Sequence, residues 1–206
     1  MTSRRVVLFV FAALAPTAVL AQAPASKPKK PAAAMVKEPP VAVGTEAVVE
    51  TSQGRFTIRL LPEVAPKHAA LFVKTAKAGA YDKTTFHRII MGGIIQGGDP
   101  LSKDPSKASL YGTGGLGLLG AEFSDRPFVR GTVAAARKPS SPDSGGRQFF
   151  ICLRDQPSLN GQYTIFGEVV SGMEVVDQVS ATPVDGDKAK ERLEMKVTIR
   201  EPATAP

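Results

Sequence analysis

The sequence predicts a mainly β fold, closed or sandwiched, and not an alternating β and α one. Three observations point there. Between Ala47 and Arg200 the chain carries several short runs rich in β-branched and aromatic residues, only two segments with helical spacing, and no repeat of fixed period.

Taken in order, AVVETSQGRFTIRLLP from Ala47 is two β-prone runs around Ser52-Gln53-Gly54, which predicts an antiparallel hairpin. In EVAPKHAALFVKTAKAGAY, Pro66 suits a first helical turn, Ala65, Ala69, Phe72 and Ala76 form an apolar stripe, and Gly79 can close the helix. His68 lies one residue from the centre of that stripe and is expected on the helix surface, without chemistry. FHRII and IIQGGDP then form two strand arms around Gly92 and Gly93. After a loop-rich stretch from 100 to 130 come the strand-like GTVAAA, QFFICL and YTIFGEVV, a helix in MEVVDQVS with Met173, Val176 and Val179 on one face, and a last strand, EMKVTIR.

The 206 residues suit one domain with extensions. Arg4 and Arg5 precede an apolar run from Val6 to Leu20, and Ala21-Gln22-Ala23 has the small-x-small pattern of a cleavage site. A signal peptide is therefore expected over 1–23, a Pro/Ala/Lys-rich linker over 24–43, the folded domain over 44–202 and a short tail over 203–206. Export, most naturally to a bacterial periplasm, follows from that reading, with no stable membrane insertion after cleavage. The net charge of +7 does not indicate nucleic-acid binding, because the leader holds +2 and residues 24–40 hold +3, leaving +2 for the rest. Cys152 is the only cysteine, which excludes an intramolecular disulfide, and its apolar neighbours predict a small buried hydrophobe.

Two motifs are decoys. GTGGLG at 112–117 matches G-x-G-x-x-G, but no strand feeds it and no helix follows, so it reads as a loop whose glycines allow close backbone approach. DSGG at 143–146 resembles a serine-protease nucleophile region, yet the histidine context is missing, and a loop is the better reading. Two histidines and one cysteine lack metal-ligand spacing, so neither a metal nor any cofactor is expected.

Arg88 is the anomaly. Its guanidinium cannot be neutralised, yet it stands among isoleucines in FHRII. Period-two geometry puts Ile94 with Gln96, and Gln148 with Phe150, on shared strand faces. Beside Arg88 these residues would make an apolar floor with a fixed cation and amides, but no nucleophile and no acid-base pair.

Four motifs in order, FHRII with QGGDP, GTVAAAR at 131–137, QFFI at 148–151 and LNGQYTIFGEV at 159–169, make the chain resemble the cyclophilin family of peptidyl-prolyl isomerases over about residues 46–200. The resemblance implies a closed eight-stranded antiparallel barrel capped by two α-helices. It also implies Arg88 as the catalytic arginine, Ile94, Phe150 and Leu159 lining a proline pocket, and Gln96 bonding the peptide. Ala136, Arg137 and Gln148 would border the adjoining groove, and His87 would support the site. Tyr163 stands where many eukaryotic members have histidine, Gly93 where a pocket phenylalanine is usual, and Ile94 where methionine is usual. The implied partners are proline-containing peptides and unfolded exported proteins, acted on by a monomer. A catalytically weak binding module on the same fold is the alternative.

Overall fold

The computed structural model describes residues 40–202. The expected signal peptide, residues 24–39 of the expected linker and the 203–206 tail lie outside the described residues. In chain order the elements are β1 (Glu46–Thr51), β2 (Gly54–Leu60), α1 (Pro66–Lys77), β3 (Thr84–Ile90), β4 (Ile94–Gly97), β5 (Thr132–Ala135), β6 (Phe149–Cys152), β7 (Ile165–Ser171), α2 (Met173–Ser180), β8 (Val184–Asp185), β9 (Lys188–Ala189) and β10 (Glu194–Arg200). Three short 3₁₀ turns lie at Pro100–Lys103, Pro105–Leu110 and Pro157–Leu159.

Eight strands pair antiparallel in the order β10-β1-β2-β7-β5-β6-β4-β3, and β3 returns to β10 through Thr84 opposite Met195 and Thr85 opposite Glu194. The barrel is therefore closed and leaves no long edge unpaired. The first hairpin forms because Ser52-Gln53 bridges Thr51 and Gly54, whose positive φ of 127° a side chain would resist. Thr51 Oγ1 accepts from the Gln53 N–H and donates to the Gly54 carbonyl. A second, short hairpin, β8–β9, hangs on β3 at the pair Arg88–Lys188 and was not expected from the sequence.

Inward-facing residues of the barrel and the apolar faces of both helices share one core, in which Phe72 of α1 meets Tyr81, Phe149 and Phe166 at centroid distances of 5.0, 5.6 and 5.3 Å. Burying a ring of this size stabilises the fold by roughly 2–3 kcal/mol. The expected stripe of α1 is buried, and α2 buries Val175, Val176 and Val179, with Met173 partly covered. Val41, within the expected linker, also packs against this core. Cys152 is fully buried; burial first, and the Asp155 charge second, push its thiol up to about 12, so it packs as a hydrophobe.

His68 is not on the helix surface. It is buried, and its Nδ1 lies 2.6 Å from Glu122 Oε2. The same carboxylate accepts the Lys67 and His68 backbone N–H groups at 3.1 and 3.0 Å, satisfying donors that the first turn of α1 leaves open. A loop residue 54 positions away covers His68, so the helix's own stripe could not reveal its burial.

Candidate active site

The pairing register lines up one row across four strands: Arg88 on β3 faces Gln96 on β4, which faces Phe150 on β6, which faces Ala134 on β5. A bulge between Phe86 and Arg88 makes this possible. Phe86 and Ile89 both enter the core, and the extra residue between them lets Arg88 stand on the outer face. The charge in the isoleucine run is thus not in the barrel interior, and 41% of its side-chain surface meets solvent.

A hydrogen-bonded chain runs along this face. Arg88 Nε donates to Asp187 Oδ2 at 2.6 Å and Nη1 donates to Gln96 Oε1 at 3.3 Å. Gln96 Nε2 donates to Gln148 Oε1 at 3.0 Å, and buried Gln148 donates onward to the Gly114 carbonyl at 2.7 Å. The Arg88 guanidinium holds the Asp187 carboxyl below the usual carboxylate range. Among the described residues Arg88 Nη2 makes no hydrogen bond, so its two N–H groups remain for a ligand.

Beside the polar chain lies a second apolar cluster, separate from the core, in which Ala134, Ala136, Phe128 and Phe150 are buried and Ile94, Leu159 and Tyr163 are half-buried. Phe150 meets the Tyr163 ring edge-on at 5.3 Å and stacks with Phe128 at 6.1 Å. The Arg137 guanidinium sits 4.6 Å from the Tyr163 ring centroid, while its Nε donates to the Gln162 carbonyl at 3.0 Å. At Gly93 an added Cβ would fall 3.0 Å from Ile90 Cγ2, so Ile90 occupies the space that a side chain at 93 would first enter.

Nine of the ten expected site residues, Arg88, Ile94, Gln96, Ala136, Arg137, Gln148, Phe150, Leu159 and Tyr163, therefore belong to one face. His87 stands apart. Its ring lies under Tyr111 and beside Gly112, away from the apolar cluster, and neither ring nitrogen makes a hydrogen bond of normal geometry. Burial lowers its pKa, opposed by the Asp99 charge and a weak contact with the Thr85 backbone, and it is neutral at pH 7.

Three contributors escaped the sequence reading. Asp187 sits in the β8–β9 turn, 99 residues from Arg88, with Gly186 at φ 62° opening that turn. Phe128 comes from the loop-rich stretch. Asp99 is fully buried and accepts the Leu101 and Gly112 N–H groups at 2.8 and 2.6 Å, which ties the glycine loop beneath Gln148. Only Asp99 left a signal, through the QGGDP motif.

The decoys resolve as loops. Gly146 passes so near the Gly115 carbonyl that any Cβ would collide, and Gly112, Gly115 and Gly117 all have positive φ. Ser144 Oγ donates to the Ser141 carbonyl and accepts the Lys138 N–H, as a loop staple does. Among the described residues no three histidine, cysteine or acidic side chains gather as a metal site.

The family model described as "Cyclophilin type peptidyl-prolyl cis-trans isomerase/CLD" matches residues 47–202. A Brucella suis protein named "Probable peptidyl-prolyl cis-trans isomerase" is 45% identical over 137 residues, covering 64% of this chain and 69% of that one. "Peptidyl-prolyl cis-trans isomerase-like 1" of Neurospora crassa is 39% identical over 147 residues, covering 69% and 85%. Among solved structures, a Cryptosporidium parvum cyclophilin-type peptidyl-prolyl cis-trans isomerase crystallised in the presence of the dipeptide Ala-Pro matches with a TM-score of 0.68 at 29% identity, covering 76% of this chain and 99% of that one. A closed eight-stranded barrel with two helices is the cyclophilin architecture, and this chain belongs to the cyclophilin-type peptidyl-prolyl cis-trans isomerase family.

Proposed function

We propose that this isomerase turns X-Pro bonds by electrostatic stabilisation of the twisted amide from Arg88, with the proline ring held on Ile94, Phe150, Leu159 and Tyr163. Rotation about the bond meets a barrier of ~18–20 kcal/mol because amide resonance must be broken, and no covalent bond has to form or break. As the bond twists, the prolyl nitrogen loses conjugation and becomes a better acceptor. A donor aimed there favours the twisted state over either planar one.

The observation that carries the reading is the state of Arg88: Nε and Nη1 are fixed by Asp187 and Gln96, and Nη2 is unspent beside an apolar cluster. A fixed donor needs little reorganisation during the reaction, and an acceleration of ~10⁵ needs only about 7 kcal/mol of differential stabilisation. Gln96 and Gln148 border the peptide path, with Ala136 and Arg137 on its far side. That a relative was crystallised in the presence of Ala-Pro supports a proline-containing peptide as ligand.

The test is a protease-coupled assay on Arg88→Ala. Its kcat/KM should fall at least ~100-fold while circular dichroism and melting temperature stay those of the wild type, since the side chain supports no core packing. Retention of more than half the wild-type value contradicts the role. Tight peptide binding by the wild type without any rate gain would favour the binding-module alternative.

The setting in which this activity works is also part of the proposal. The basic start, apolar run and Ala21-Gln22-Ala23 support export with cleavage before Pro24, and unfolded exported proteins as clients of a monomeric periplasmic enzyme. Intact-mass analysis of protein recovered from the periplasm should give a chain beginning near Pro24, and a full-length mass would overturn it.

A further inference from the structure

On the side of Arg88 away from Gln96 the surface opens into a cavity of about 500 Å³, between the 3₁₀ turn at Pro105–Leu110 and the segment that follows the β8–β9 turn. Its walls are apolar at Phe86, Pro105, Ala108 and Ala189. Its charges are unevenly matched. Arg88 is bound to Asp187 and Arg192 to Glu194, so the ions left facing the space are Lys188 and Lys190 against Glu191. Among the described residues neither lysine has an ion-pair partner. The floor includes the His87 imidazole, 92% of whose surface is covered.

Arg88 both lines this cavity and ends the polar chain of the active face. An extended peptide advances ~3.3 Å per residue, so a side chain one or two residues from the proline reaches the space while the ring stays in its pocket. We propose that the cavity is a second specificity subsite, taking an acidic side chain of the proline peptide: its methylenes lie on the apolar walls and its carboxylate between Lys188 and Lys190. This rests on the isomerase reading above and names the substrate sequences that site prefers.

The experiment measures Kd by calorimetry and kcat/KM by the coupled assay for proline peptides bearing Glu, Ala or Lys one or two residues from the proline, on either side. For at least one position the wild type should favour Glu over Lys by about 10-fold at low ionic strength, and the preference should shrink as salt screens it. In Lys188→Glu/Lys190→Glu the Glu-to-Lys ratio should invert; the single variant Lys190→Glu gives an intermediate ratio. A ratio within twofold of one at every position, in both measurements, overturns the subsite, as does a ratio that the double variant leaves unchanged. A charge preference in Kd with no acceleration of the alanine peptide would instead keep the subsite and overturn the isomerase reading.

Discussion

Phe150 carries two duties that separate on mutation. Its ring is 3% exposed and packed between Phe128 and Tyr163, so it holds the second apolar cluster together, and in the proposed function it is also the floor on which the proline ring rests. Phe150→Ala should weaken peptide binding and lower stability by ~3 kcal/mol or more, read together from calorimetry and chemical melts. Full stability with lost binding would mean the cluster collapses around the gap. His87 gives a prediction in pH. Its folded pKa is below the ordinary value, so it is neutral when buried, and below about pH 6.5 the unfolded chain binds a proton that the native state refuses. Stability should therefore fall as pH drops from that value to the lowered one, and His87→Gln should remove that slope. Parallel slopes in wild type and variant would contradict it. At this scale the sequence was informative wherever a residue's strand neighbours decide its face, as for Ile94, Gln96, Gln148 and Phe150. It failed for His68, whose burial comes from Glu122, a loop residue 54 positions away.

Glu122 is a test of how the elements are joined. One carboxylate from a loop accepts two N–H groups from the first turn of α1 and the His68 ring, while its own N–H donates to Thr164 Oγ1 at 2.9 Å. Glu122→Ala leaves buried donors unmet and should lower stability by roughly 1–3 kcal/mol, seen in urea melts, with kcat/KM within twofold of wild type. An unchanged midpoint would show that water replaces the carboxylate. Both helices and the strands of the barrel could be read locally, since apolar periodicity, Pro66 and turn glycines are near-neighbour signals. The β8–β9 hairpin could not. VDGDKAK has too few apolar residues to show an alternation, and the hairpin exists because it pairs with β3, placing Asp187 on Arg88.

For the molecule as a whole, closure of the barrel makes the active face rigid: the four strands that carry Arg88, Gln96, Phe150 and Ala134 are fixed by pairing on both sides, and the fold itself sets the spacing of cation and apolar pocket. That the eight strands close into a barrel was legible only through the ordered family motifs, because closure depends on Thr84 and Thr85 meeting Met195 and Glu194, more than 100 residues on, and no local pattern reports such a pairing. The central claim is that Arg88 stabilises the twisted amide and not simply the bound peptide. The most direct measurement is exchange spectroscopy by NMR on a single-proline peptide, giving the cis-trans rate on the enzyme and the affinity separately, for wild type and Arg88→Ala. The account predicts an on-enzyme rate at least ~100-fold lower in the variant, with Kd within about threefold. A variant that binds the peptide far more weakly yet interconverts it at the wild-type rate once bound would contradict it.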